Sequence, residues 1–93
     1  MKPYDWSDLK NSKLKAERLV SFEDVLTAID EGKVLDRIEH PNKLRYGNQK
    51  VLVVEIDDYA YLVPYVEDDT KIFLKTIIPS RRATKKYLRG EQL

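Results

Sequence analysis

Apolar positions along this chain change their period twice, and each change marks a boundary between elements. Phe22, Val25, Leu26 and Ile29 fall at i, i+3, i+4 and i+7, which is one face of a helix. Ser21 stands before them as an N-cap, with Asp24 three residues on in the position of a capping-box acid. Val20 and Val25 occupy the hydrophobic-staple positions, and Gly32 supplies a stop signal. A helix over about residues 22–31 is therefore expected. Upstream, residues 5–18 are rich in helix formers. Trp6, Leu9 and Ala16 lie at helical spacing with the Lys13 stem between them, and Leu14 sits off that stripe.

After Gly32 the period becomes two. Residues 34–39 read as a half-buried strand, His40-Pro41-Asn42 breaks it, and a polar loop runs through Gly47-Asn48. Residues 51–56 form a β-prone run in which Leu52, Val54 and Ile56 share a face. Asp57-Asp58 makes a tight turn into residues 59–66, where Tyr59, Tyr61, Val63 and Tyr65 share a face. Pro64 has no amide donor, which assigns it to an edge, a bulge or a strand end. Residues 67–70 form a second turn and residues 71–78 the last strand. Pro79 ends that strand, Ser80 caps, and residues 81–89 form a closing helix. The order is ααββββα: an α+β fold with two N-terminal helices, a four-stranded antiparallel meander and a C-terminal helix.

Ninety-three residues, 42% hydrophobic and 35% charged, fit one folded domain over 1–93. The absence of cysteine removes disulfide and thiolate chemistry, and one histidine cannot build a His/Cys metal site. No apolar run approaches the roughly 18–20 residues of a membrane span, and the first residues lack a signal peptide's apolar stretch. The expectation is a cytoplasmic protein without metal or cofactor.

Charge changes the picture more than composition does. Residues 1–70 hold ten Lys/Arg and fifteen Asp/Glu, whereas from Lys71 onward there are seven Lys/Arg and one acid, Glu91. A formal net charge of +1 thus hides a dipolar molecule. Concentrated cations beside apolar scaffolding form the electrostatic footprint of a polyanion binder.

Two end motifs carry a family resemblance. Trp6-(x)3-Lys10 followed by Val20-Ser21-Phe22-Glu23, and Ile77-Ile78-Pro79-Ser80-Arg81-Arg82-Ala83-Thr84, resemble the corresponding segments of the BrnT family of bacterial toxins. The resemblance implies a RelE-like fold and a metal-independent endoribonuclease that cuts RNA through attack by the ribose 2′-hydroxyl. It also implies a cognate antitoxin of ribbon-helix-helix type, through which alone operator DNA would be reached. The chain departs from the pattern at Glu17-Arg18-Leu19, where the family has Lys-His-Gly, and at Leu14, where it has Asn. It departs again at Thr76, in place of Arg, and at Tyr87, in place of an acid.

RNA cleavage of this kind needs a base, cations for the phosphorane charge, and an acid for the leaving oxygen. Arg81, at a helix start where backbone N–H groups favour an anion, is the leading candidate to hold phosphate. Lys75 on the preceding strand is a charge stabiliser or a perturbed base, or a solvated lysine. His40 has the side chain suited to acid–base work near neutrality, or is a plain loop residue. Arg82, Lys85 and Lys86 extend the cationic surface for substrate, or form a solvated helix face. Tyr65, with Tyr59 and Tyr61, offers base stacking or belongs to the core. Tyr87 is either a core anchor or an acid beside the cluster. A non-catalytic module of the same fold, binding nucleic acid or an acidic protein segment, is the alternative function.

Overall fold

The computed structural model describes residues 2–39 and 49–90; the predicted break and loop at His40 to Asn48 lie outside them. Its architecture is α+β, with a mixed sheet between helices on both faces. Strand β1 (Tyr4–Asp5) leads into α1 (Asp8–Arg18) and α2 (Phe22–Asp30). Then come β2 (Val34–Glu39), β3 (Gln49–Ile56), β4 (Tyr59–Glu67), β5 (Ile72–Leu74) and β6 (Ile78–Pro79). A short helix α3 (Arg81–Ala83) passes directly into a π-helical turn (Thr84–Leu88).

Local chemistry accounts for the helix ends. Ser7 caps α1 through Lys10 N–H, and Leu19 closes it in the left-handed region at φ 58°. Ser21 and Asp24 form the reciprocal capping box of α2, each side chain accepting from the other's backbone N–H. Gly32 then turns the chain at φ +75°, where a side chain would be strained. The buried face of α1 differs from the sequence expectation. Leu14 is buried and Leu9 is 83% exposed, because the helix turns Asn11 and Leu14 inward, at i and i+3. Trp6, just outside the helix, stacks on Phe22 with ring centroids 5.6 Å apart.

The sheet runs β1-β5-β4-β3-β2, with β6 also paired to β4. The succession from β2 to β5 is antiparallel, as the sequence suggests. The four-stranded meander is nonetheless incomplete as a description, since β1 joins parallel to β5 with Tyr4 opposite Ile72. The strand predicted over 71–78 is two strands, and Pro64 supplies the reason. The Pro64 carbonyl accepts Lys75 N–H at 2.8 Å. In an antiparallel ladder a residue's N–H and C=O point to the same neighbour, so the donor that proline lacks is missing on that same side. Pairing to β4 is continuous at Tyr65–Glu67 with β5, lapses around Pro64, and resumes at Tyr61–Leu62 with β6. Arg18 donates to the Ile77 carbonyl inside the interruption.

Alternation along the strands sorts the core into two halves. Leu52 and Val54 of β3, with Val63 and Tyr65 of β4, pack with Leu74 and Ile77 under Leu14, Phe22, Val25 and Ala28. Each large side chain fully withdrawn from water there contributes about 1.5–3 kcal/mol. On the opposite face Val53 and Ala60 meet Ala83, with Leu35, Leu62, Tyr87 and Leu88 around them. Asp57 and Asp58, both at positive φ (52° and 62°), form the primed hairpin turn between β3 and β4. Among the described residues, no helix is long and apolar enough to cross a membrane.

Candidate nucleic-acid interface

The start of the closing helical segment is fixed to the sheet at Ala60. Ser80 N–H donates to the Ala60 carbonyl at 3.0 Å, and Ala60 N–H donates to Thr84 Oγ1 at 2.9 Å. Thr84 in turn donates its hydroxyl to the Ser80 carbonyl at 2.8 Å. Ser80 Oγ accepts Ala83 N–H, capping the first turn. The wide turn that follows, closed by Arg89 N–H to the Thr84 carbonyl, brings Tyr87 and Leu88 down onto the second core half. A helix this short and distorted carries little macrodipole, so attraction for an anion falls to side chains rather than to the backbone at Arg81.

Between this segment and the sheet lies a shallow cavity of about 200 Å³, lined by Ile38, Val53, Leu62, Ser80, Arg82, Ala83, Lys86 and Tyr87. Its floor is apolar. Ile38 is 41% exposed, and Ile78, paired with Leu62 at the neighbouring strand, is 38% exposed. Arg82 and Lys86, one helical turn apart, stand at its rim. Tyr87 forms a wall whose position is set from two sides. Its hydroxyl donates to Asp36 on β2, and the Lys86 ammonium lies 5.1 Å from the ring centroid.

The Asp36–Tyr87 hydrogen bond polarises both partners. It holds the Asp36 carboxyl below its ordinary range, helped by Arg37 N–H and by the nearby Lys86. The same bond, then burial and the Asp36 charge, push the Tyr87 hydroxyl up. Asp36 is therefore an ionised carboxylate at neutral pH, and Tyr87 keeps its proton more firmly than a free phenol. Its role is an anchor and a wall, the first of the two roles foreseen for it.

The cations of the last segment are unevenly neutralised. Lys71 pairs with Asp5 at 3.6 Å and Arg89 with Asp58 at 3.2 Å. Among the described residues, Lys75, Arg81, Arg82 and Lys85 have no carboxylate partner, while Lys86 makes no ion pair but lies near enough to Asp36 to help lower its pKa. Another part of the surface is acidic: Asp24, Glu31, Glu55 and Asp57, with Lys33, line a second concavity. Among the described residues no three His, Asp or Glu side chains gather into a metal site.

The structure brings together only part of the predicted set. Arg82 and Lys86 meet at the cavity. Arg81 and Lys85 are exposed on the same segment without lining it, and Lys75 is exposed in the interruption between β5 and β6. His40 lies outside the described residues. Tyr65 requires a correction: it is 4% exposed within the first core half, so neither ring face is open to a base. Tyr59 and Tyr61 are half-buried and meet edge to face at 5.7 Å, with Tyr61 packed against that same half. Sequence reasoning missed Asp36 and the apolar floor. The signal was available in the outward alternation of Asp36 and Ile38, which face the same side as Val53 and Val51 across the β2–β3 ladder.

Compared with protein-family models, curated proteins and solved structures, the chain matches none.

Proposed function

We propose that this protein is the toxin component of a bacterial type II toxin–antitoxin pair, a ribonuclease that engages RNA at the groove beneath its closing helical segment. The observation that carries this reading is a run of cations, most of them without a carboxylate partner among the described residues, beside an apolar cavity. Side chains so placed are left free to neutralise phosphate, and a guanidinium such as Arg82 can do so bidentately. The two end motifs support the same reading: one builds the α1–α2 corner, the other the segment that carries Arg81, Arg82 and the Thr84 clamp to Ala60. In the chemistry that follows, Arg82 and Lys86 hold the scissile phosphate and stabilise its developing charge. Arg81 and Lys75 add field from outside the cavity. The partner is an antitoxin of ribbon-helix-helix type that covers this surface, and the site of action is the cytoplasm.

The test is induced expression of the protein alone, and together with the reading frame next to its gene, paired with RNA cleavage by the purified chain. Expression alone should arrest growth, co-expression should restore it, and Arg82→Ala should lower cleavage by about 10–100-fold, consistent with loss of a charge-stabilising contact. A wild-type protein that neither arrests growth nor cuts RNA when free of partner ends the ribonuclease reading. Salt-dependent RNA binding without cleavage would then favour the non-catalytic module.

A further inference from the structure

We infer that a concavity beside α2, distant in composition from the cationic groove, binds a small zwitterion with an apolar body, of the class of an α-amino acid with a large apolar side chain. This is independent of the ribonuclease reading, because the two cavities share no lining residue. Its volume of about 790 Å³ falls within the roughly 300–1,000 Å³ of sites that take small molecules. Among the described residues it is lined by Tyr4 of β1, by Leu26, Thr27, Ile29 and Asp30 of α2, and by Arg37 of β2. Strands β1 and β2 stand at opposite ends of the sheet order, so Tyr4 and Arg37 meet in one concavity only because the sheet curls about α2. Tyr4 and Ile29 pack partly buried against the first core half, and Leu26 lies one turn before Ile29. Together they leave an apolar surface open to a ligand.

The charges choose the occupant. Asp30 and Arg37 have opposite signs, are both exposed, and line the same cavity from different elements. Yet neither makes an ion pair, with the other or with any described residue. They stand farther apart than the roughly 4 Å of a direct pair, which leaves room for a molecule that carries both charges. Glu67 feels Arg37 at a distance, but Lys2 at 2.9 Å and Lys50 at 3.8 Å already hold that carboxylate. On the helix, Thr27 and Asp30 lie at i and i+3, on one face. The Thr27 hydroxyl donates to the Glu23 carbonyl at 3.1 Å, so its oxygen remains an acceptor beside the Asp30 carboxylate. Two such acceptors suit an ammonium group. The Arg37 guanidinium offers donors in the fork that matches a carboxylate. Tyr4, Leu26 and Ile29 then take the apolar side chain. A fatty acid would leave Asp30 unanswered at the site, and an alkylammonium would leave Arg37 so, each at a desolvation cost that the zwitterion avoids.

The test is a titration of the purified chain with L-phenylalanine, followed by backbone amide chemical shifts. Saturable binding with a Kd of about 1 mM or tighter is expected, with the largest shifts at Tyr4, Leu26, Ile29 and Arg37. N-acetyl-L-phenylalanine lacks the ammonium, L-phenylalaninamide lacks the carboxylate, and glycine lacks the apolar body. Each should bind at least about 10-fold more weakly. Arg37→Gln should remove the preference for L-phenylalanine over its amide, and Asp30→Asn the preference over the N-acetyl form. Both positions are exposed, and an unaltered spectrum away from the cavity verifies that the variants fold. Arg82→Ala should bind L-phenylalanine as wild type does. An absence of saturable binding overturns the inference. So does an amide or N-acetyl analogue that binds as tightly as the parent, since one charge would then suffice. Wild-type affinity in Arg37→Gln, or shifts that gather at the cationic groove and vanish in Arg82→Ala, would place the ligand elsewhere and overturn it as well.

Discussion

Asn11 shows how much one buried polar residue can settle. It is 5% exposed, its amide donates to Glu23 Oε1 at 2.8 Å, and its carbonyl oxygen accepts Phe22 N–H at 2.8 Å. With Ser21 it thus satisfies two of the amides left open at the start of α2. Asn11→Ala should cost about 1–3 kcal/mol in chemical denaturation, because the Phe22 amide is left buried without a partner. A loss near zero would mean that water replaces the asparagine. Phe22 beside it was readable from its helical period, whereas Asn11 was not, because a polar residue scores against burial until its bonds are known. Asn11 and Leu14 at i and i+3 hold the inward face that the wider Trp6, Leu9, Ala16 stripe concealed. At the hairpin, Asp57 stands at φ 52°, a region glycine adopts freely. Asp57→Gly should therefore raise stability by about 0.5–1 kcal/mol, read as a higher denaturation midpoint. Asp68 has a different device. Thr70 N–H, Lys71 N–H and the Thr70 hydroxyl all bond its carboxylate and hold its pKa below the ordinary value. A folded-state pKa below the unfolded one means that this stabilisation is present above the ordinary carboxylate range and lost as pH falls through it. Asp68→Asn should flatten the acid limb of a plot of denaturation midpoint against pH, and an unchanged limb would assign the acid sensitivity elsewhere.

Among elements, the informative one is the strand that is not continuous. Pro64 predicts an edge, a bulge or a strand end from the sequence, but which neighbour it interrupts depends on register, and register is a tertiary property. In the structure it interrupts the β5–β6 side, and Arg18 reaches across from α1 to bond the Ile77 carbonyl there. The last turn of α1 is thereby tied to the segment leading into Ser80. Arg18→Ala should destabilise the fold by about 1 kcal/mol, and Arg18→Met should not recover it, since the guanidinium's bond rather than its stem is what is missing. Equal stability of wild type and both variants in denaturant melts would show that solvent serves the carbonyl as well. Helix α2, with its cap, staple, apolar face and glycine stop, was legible almost in full because every one of its signals is local. The closing helix was legible in position and not in form. Its wide turn follows from Thr84, which bonds Ala60 and Ser80 at once, contacts that only the folded sheet supplies.

For the whole molecule, the division of charge is the property that sequence and structure share most directly. An acidic body and a basic closing segment need only be counted to be found, and the structure adds that four of those cations, Lys75, Arg81, Arg82 and Lys85, lack carboxylate partners among the described residues. Affinity for single-stranded RNA should fall steeply with salt. The slope of log K against log salt should lose about 0.7 in magnitude for each of Arg82 and Lys86 neutralised, as expected when one counterion release per residue is removed. A double variant with an unaltered slope would take these residues out of the interface. The mixed sheet carries one more consequence. Tyr4 pairs with Ile72, and the cavity's wall and rim come from residues after Ser80, while its floor comes from β2, β3 and β4. A chain made from its amino end therefore assembles the floor first, and its earliest strand waits, unpaired, for one of its latest. Until the closing segment is made and clamped at Ala60, a growing chain has the apolar hollow without the tyrosine or the cations.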